Sequence, residues 1–267
     1  MTCMHTTEKT EKLLAQLTDI FGSIATATEQ LAHELAQVFA EHLHIDSEDS
    51  LLLTPHIRGV FQTHIQAILK CNPYCTGAGF ASHIHVKSKD HDYWMLEWWL
   101  KDNNDIKQAL YELDQGTQQR LDFRTFEWFH KTHQHNATYI HGPYVDYICN
   151  TDYTITSAHA VSVNGQFVGV AVIDILVAKL EQLLAPFLGA DSPKVLLANV
   201  ENRVIVSNSP RIRTGSIYQT SGQTAPVAII AEHFLGLTLT LCLPASILGA
   251  IIGLLTALLI LAFVKRL

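Results

Sequence analysis

Charge is scarce in this chain of 267 residues, with only 16% of positions charged. Basic residues are the scarcer kind: 18 Lys and Arg stand against 25 Asp and Glu, a formal net charge of −7. With no concentrated basic patch, phosphate-backbone binding is excluded as a main role, so no nucleic-acid partner is expected. Five cysteines, Cys3, Cys71, Cys75, Cys149 and Cys242, are an odd number at uneven spacing and make no disulfide framework. Cys71 and Cys75 read as small residues flanking a turn at Asn72-Pro73, with pairing or a shared metal as the other reading. Repeats and low-complexity tracts are absent. So are a Gly-x-Ser-x-Gly elbow, a Walker loop, a His-Glu-x-x-His pair and a dinucleotide glycine fingerprint, so no enzyme and no cofactor is expected.

Apolar residues, by contrast, make up 48% of the chain, ample for a core and well outside the range of disordered sequences. Part of this lies in one run. Ala245 to Val264 carries no charge, and as a helix it would be about 30 Å long, the thickness of a bilayer's hydrocarbon core. Gly249 and Gly253 give it a Gly-x-x-x-Gly face suited to close helix pairing. The expectation is a single-pass C-terminal membrane anchor. Lys265 and Arg266 favour a cytoplasmic C-terminus, whereas Met1 to Lys12 lacks the apolar stretch of a secretory signal. The two signals leave the side of the soluble part open.

Between Thr10 and Leu43 the apolar residues Leu13, Leu17, Ile20, Ile24, Leu31, Leu35, Val38 and Leu43 recur at steps of three and four, with Gly22 as the weak point. They form the stripe of a long amphipathic helix able to pack on a domain and pair with a second copy. A second helix is expected from Thr54, its cap, through Pro55 to about Lys70. Beyond Pro73 short apolar runs alternate with turn signals at Gly77-Ala78-Gly79, Asn164-Gly165 and Asn199 to Asn202. Val161 to Asp174 reads as two strands joined by an Asn-Gly turn. Leu176 to Leu188 reads as a short helix, and Leu237 to Leu243 as a half-buried strand. The predicted fold is α+β, a long N-terminal helix on antiparallel sheets with one C-terminal transmembrane helix. Its parts are N-terminal helices (1–70), a first sheet module (71–188), a reduced second module (189–244) and the anchor (245–264).

Several segments carry a resemblance: Leu96-Glu97-Trp98-Trp99, Trp128-Phe129, Gly142-Pro143-Tyr144-Val145-Asp146, the closing strand Gly169 to Asp174, and Arg203-Val204-Ile205-Val206-Ser207-Asn208. With Gly77-Ala78-Gly79 their order resembles the Cache family, PAS-like ligand-sensing domains of chemoreceptors and sensor kinases, in its double-Cache form. The resemblance implies a distal PAS-like module that binds a small molecule and a reduced proximal module. In amino-acid-binding members an Arg-x-Trp-Tyr element grips the ligand carboxylate, and a later Tyr and Asp receive its ammonium. The register places Phe126-Glu127-Trp128-Phe129, Tyr144 and Asp174 at those positions. Phe126 stands where the family has arginine, and Arg124 lies two residues away.

The residues themselves suggest a box of Trp98, Trp128, Phe129 and Tyr144 with Asp146 and Asp174 as its acids. Rings and desolvated carboxylates suit an ammonium group, each cation–π contact giving about 0.5–2 kcal/mol. Each residue also has a plainer role: core aromatics for the tryptophans, a turn for Tyr144, a helix cap for Asp174. Fifteen histidines, among them His42/His44, His83/His85 and His133/His135, offer a competing metal site, though no ligand spacing specifies one. The expectation is a membrane-anchored homodimeric sensor for an amine or other cationic metabolite, signalling through a separate protein. A dimeric scaffold without ligand, or a histidine-based metal binder, is the alternative.

Overall fold

The computed structural model describes residues 2–42, 55–86, 91–102, 105–109, 122–134, 137–189, 192, 194–219, 227–229 and 237–242. They fall into two compact units, Asp19–Leu180 with Glu232–Gly236, and a second made of Met1–Thr18, Glu181–Ala231 and Leu237–Leu267.

The expected α+β class is what the chain adopts. α1 runs Thr2–His42 and α2 Pro55–Cys71. In the Asp19–Leu180 unit the α1 stripe buries Ile20, Ile24, Leu31, Leu35 and Val38, as its period requires. Thr28, which interrupts that stripe, is buried without cost: its hydroxyl bonds the Ile24 carbonyl and the Ser157 hydroxyl, each at 2.8 Å. α2 buries Ile57, Phe61, Ile65, Ile68 and Leu69. Its C-terminal carbonyls receive the Lys101 ammonium, at 2.6 Å on Leu69 O and 2.9 Å on Asn72 O, a favourable place for a cation. Thr54 and Leu43 lie outside the described residues.

Six antiparallel strands follow: β1 Gly77–Val86, β2 His91–Asp102, β3 Asp105–Gln108, β4 Tyr139–Val145, β5 Tyr153–Val163 and β6 Gln166–Leu176. They form one sheet ordered β3-β2-β1-β6-β5-β4. A 3₁₀ turn, Phe123–Thr125, and α3, Glu127–Gln134, come between β3 and β4. Side chains alternate across the sheet. One face meets α1 and α2 through Phe39, Phe61 and Phe80, whose rings lie 5.1–5.8 Å apart edge to face. The other face, with Trp98, Ala158, Val170 and Val172, packs against Phe123, Trp128 and Phe129.

The Asn164-Gly165 turn joins β5 to β6 with both residues at positive φ, 51° and 79°, as a two-residue hairpin turn needs. The turn expected at Gly77-Ala78-Gly79 is not one. These residues open β1, and their glycines make room for an indole. A Cβ on Gly79 would stand 2.2 Å from the Glu97 carbonyl oxygen and 2.5 Å from the Trp98 ring; one on Gly77 would stand 2.9 Å from the same ring. A glycine pair signals a close approach as readily as a turn.

In the second unit, β7 Lys194–Asn199, β8 Val204–Ser207, β9 Val227–Ile229 and β10 Leu237–Cys242 form a sheet ordered β8-β7-β10-β9. The expected turn at Asn199 to Asn202 is present: Asn199 Oδ1 accepts from Glu201 N and Arg203 N, at 3.0 and 2.9 Å, and Asn202 takes φ 60°. A short helix, α4, runs Val177–Leu184, within the stretch expected to be helical. Among the described residues no helix is long and apolar enough to cross a membrane. The expected anchor, Ala245 to Val264, lies outside them.

Candidate ligand-binding site

A cavity opens on the face of the six-stranded sheet turned from α1 and α2. β2 contributes Leu96 and Trp98, and β6 contributes Val172 and Asp174, each pair two residues apart and so on one face. The 3₁₀ turn and α3 supply Phe123, Phe126 and Trp128; β4 and the turn after it supply Tyr144, Asp146, Ile148 and Cys149. Of the residues expected from sequence, Trp98, Trp128, Tyr144, Asp146 and Asp174 thus meet around one space. Phe129 does not line it. Next to Trp128 on a helix, it points about 100° away and packs against Phe123 and Phe167, at 5.4 and 5.8 Å.

Tyr144 reaches the cavity because β4 breaks register between His141 and Tyr144 at Gly142-Pro143. Gly142 takes φ 132°, with the Thr154 carbonyl 2.7 Å from where a Cβ would be, so only glycine fits there. Tyr144 is a strand residue rather than a turn closer. Its hydroxyl lies 2.7 Å from Thr156 Oγ1, which donates to Asp174 Oδ1 at 2.7 Å. Thr156 is opposite Asp174 in the β5–β6 register. While Asp174 is ionised it only accepts, so Tyr144 must donate to Thr156; once protonated, Asp174 can donate and the chain can reverse.

Asp174 does not cap α4. The Leu176 N–H donates to Thr76 Oγ1 at 3.1 Å instead. With 2% of its surface exposed, Asp174 has its carboxyl pushed well above the usual carboxylate range, first by burial and then by the charge of Asp146; the Thr156 hydroxyl opposes this. Tyr144 is raised likewise, by burial and then by the negative charges of Asp174 and Asp146. Asp146 is buried too, and its Oδ1 accepts from the Ile148 and Cys149 amides at 3.0 and 3.1 Å. It organises the turn that carries Ile148 and Cys149 to the cavity wall.

Among the described residues lining the cavity there is no Lys, Arg or His. Arg124 is engaged elsewhere. Its guanidinium makes a forked contact with Asp122, Nε–Oδ1 at 2.8 Å and Nη2–Oδ2 at 2.7 Å, and lies 5.0 Å from the centre of the Trp94 ring. Burial raises Asp122, but hydrogen bonds and charge from Arg124 outweigh it and hold the carboxyl below its usual value. Phe126 occupies the cavity wall instead, 6.0 Å from Trp128 and 6.3 Å from Tyr144 ring to ring, edge-on to both.

The space inside these walls, its mouth included, is about 280 Å³, yet the interior left clear by the side chains is about the size of one water molecule. Two of the wall residues carry polar groups without partners: Trp98 Nε1 and Trp128 Nε1 are buried with no hydrogen bond among the described residues. Sequence reasoning missed Phe126 as a wall residue and Thr156 as the link between Tyr144 and Asp174. Thr156 carried no signal in the turn alone: counted back from Asn164-Gly165, Asp174 would face Ile155, and it is the register shift between Val161 and Ser162 that brings Thr156 opposite it.

No group of three or more His, Cys, Asp or Glu among the described residues can hold a metal. His133 stacks on Phe167 at 4.1 Å, His159 bonds Thr138 at 2.9 Å, and His64 meets Glu34 at 2.8 Å. His44 and His135 lie outside the described residues. Cys71 and Cys75 are not bonded to each other; Cys75 is buried, its thiol pushed up to about 12 mainly by desolvation.

No family model matches the chain, and no curated protein sequence does. Solved structures do. The periplasmic sensory domain of the Campylobacter jejuni chemoreceptor Tlp1 aligns with TM-score 0.60 at 12% identity, over 90% of this chain and 94% of that one. The ligand-binding domain of the Pseudomonas fluorescens chemoreceptor CtaA, in complex with L-valine, aligns with TM-score 0.54 at 13% identity, over 91% and 97%. That of C. jejuni chemoreceptor Tlp3, in complex with 4-methylisoleucine, gives 0.53 at 14%, over 85% and 75%. The fold of this chain is the fold of chemoreceptor sensory domains.

Proposed function

We propose that this chain is a Cache-type sensor that binds a small amine or other cationic metabolite between its six-stranded sheet and α3, and that it acts by binding rather than catalysis. One observation carries the reading: two buried carboxylates, Asp174 and Asp146, stand in an aromatic-walled cavity without a basic residue among its described lining. An ammonium would neutralise Asp174 and meet the faces of Trp98, Trp128 and Tyr144. A carboxylate would find two like charges and Phe126 where a cation is needed. Two of the similar solved structures hold amino acids, 4-methylisoleucine and L-valine, ligands that carry an amine.

The water-sized interior means that a guest must displace a ring, and Phe126, at the junction of the 3₁₀ turn and α3, is the one we assign to move. Binding would then favour one arrangement of α3 against the sheet to the extent that the ligand prefers it. We further propose the four-part division given above, with the sheet of β7 to β10 as the reduced proximal module. Ala245 to Val264 would anchor the chain in a membrane. α1, with Gly249 and Gly253, would pair two copies, and a separate protein would carry the signal onward.

The same narrow interior favours a second reading, a scaffold that keeps the fold without a guest. Thermal-shift measurements on the full chain separate the two. A sensor gains stability with amines by RT ln(1 + [L]/Kd) and gains none with amine-free carboxylates; a scaffold responds to neither. Stabilisation by carboxylates alone would overturn the amine reading.

A further inference from the structure

The unpartnered indoles add a second requirement on the guest. Trp98 is 2% exposed and Trp128 5%, both line the cavity, and the Nε1–H of each is buried without an acceptor among the described residues. Buried donors are satisfied in the great majority of folded proteins, so two unmet ones on residues that line the same cavity call for an acceptor. The carboxylates of the wall do not meet them: Asp174 Oδ1 takes the Thr156 hydroxyl, Asp146 Oδ1 takes two turn amides, and neither acid bonds an indole N–H. Phe126, ring to ring with Trp128, offers no acceptor.

From this we infer that the ligand is a monocation carrying an uncharged oxygen acceptor, an amino amide or amino alcohol, with its ammonium toward Asp174 and its oxygen on the indole N–H groups. The inference rests on the amine reading above and adds what the other end of the molecule must be. Neutral N–H donors suit a carbonyl or hydroxyl oxygen. They cannot replace a guanidinium for a carboxylate held near two buried acids, where repulsion and desolvation both oppose it.

The test is calorimetry on the full chain with a matched series: isobutylamine, valinol, valinamide, valine and isovalerate. Valinamide and valinol should bind roughly five- to tenfold more tightly than isobutylamine, the gain of one or two neutral hydrogen bonds, and valine more weakly than valinamide. Trp128→Phe, which keeps a ring and removes the donor, should bring the valinamide-to-isobutylamine ratio close to one. Should that variant fold poorly, the indole N–H resonances of the unaltered chain serve instead: valinamide should shift at least one of them downfield and isobutylamine should not. Equal affinities for amine and amide would mean that a resident water satisfies the indoles, and would overturn the inference while leaving the amine reading intact. Valine binding more tightly than valinamide would overturn it too. If none of the amines binds, the underlying reading fails.

Discussion

Glu97 and Asp174 are both buried acids in one sheet, 1% and 2% exposed, yet they are treated in opposite ways. Glu97 points to the helical face and is saturated. Its Oε2 takes Arg58 Nη2 at 2.8 Å, and its Oε1 takes Gln62, Trp99 and Gln108 at 3.1, 3.0 and 2.7 Å. Asp174 points to the other face, has the Thr156 hydroxyl, and looks across at another carboxylate. A carboxylate surrounded by donors ties α2 to β2 and β3. One left nearly bare beside a cavity is what the proposed amine would pair with, and groups perturbed in this way cluster at functional sites.

The contrast can be broken by removing each acid in turn. Glu97→Ala should cost about 3 kcal/mol in chemical denaturation, because it strands several buried donors at once. Arg58, whose side chain is 41% exposed, can turn to water and limits the loss. Asp174→Asn should do the reverse. It should raise stability by about 1–2 kcal/mol near neutral pH, since an amide carries no charge to desolvate, while amine affinity falls on the order of a hundredfold. Equal losses of stability from the two variants would erase the distinction.

A difference in pH dependence sharpens it. The Asp174 carboxyl is raised in the fold, so the folded chain holds its proton more tightly than the unfolded one. Stability should therefore fall as pH climbs from the ordinary carboxylate value, about 3.9, through the raised one, then level off. Asp174→Asn should remove that slope, which the difference between the two denaturation series isolates. At the small end, Tyr144→Phe should cost about 1 kcal/mol, the worth of its bond to Thr156, read from the same curves.

The two faces also differ in how far they could be read from sequence. The α1 stripe and the Asn164-Gly165 hairpin were legible because each is a local rule, a period or a turn chemistry, that packing only reinforces. Tyr144 and Asp174 could be singled out, but their link through Thr156 depends on strand register and on the break at Gly142-Pro143, which no period shows. Gly77 and Gly79 misled as a turn because their reason lies across the sheet, in the Trp98 ring. Phe129 was grouped with Trp128 because the resemblance sets the pair in an Arg-x-Trp-Tyr register, and on a helix adjacent side chains diverge. The saturation of Glu97 depends on residues from α2 and β3, far off in the chain, and was invisible.

The most direct test of the central claim is the affinity of isobutylamine for the full chain from about pH 5 to about pH 8, where the ligand stays protonated. If Asp174 is the counter-charge, affinity should climb with pH as that carboxyl gives up its proton, and in Asp174→Asn it should be weak and flat. Affinity that stays level or declines with pH in the unaltered chain, or no saturable binding at all, would contradict the account.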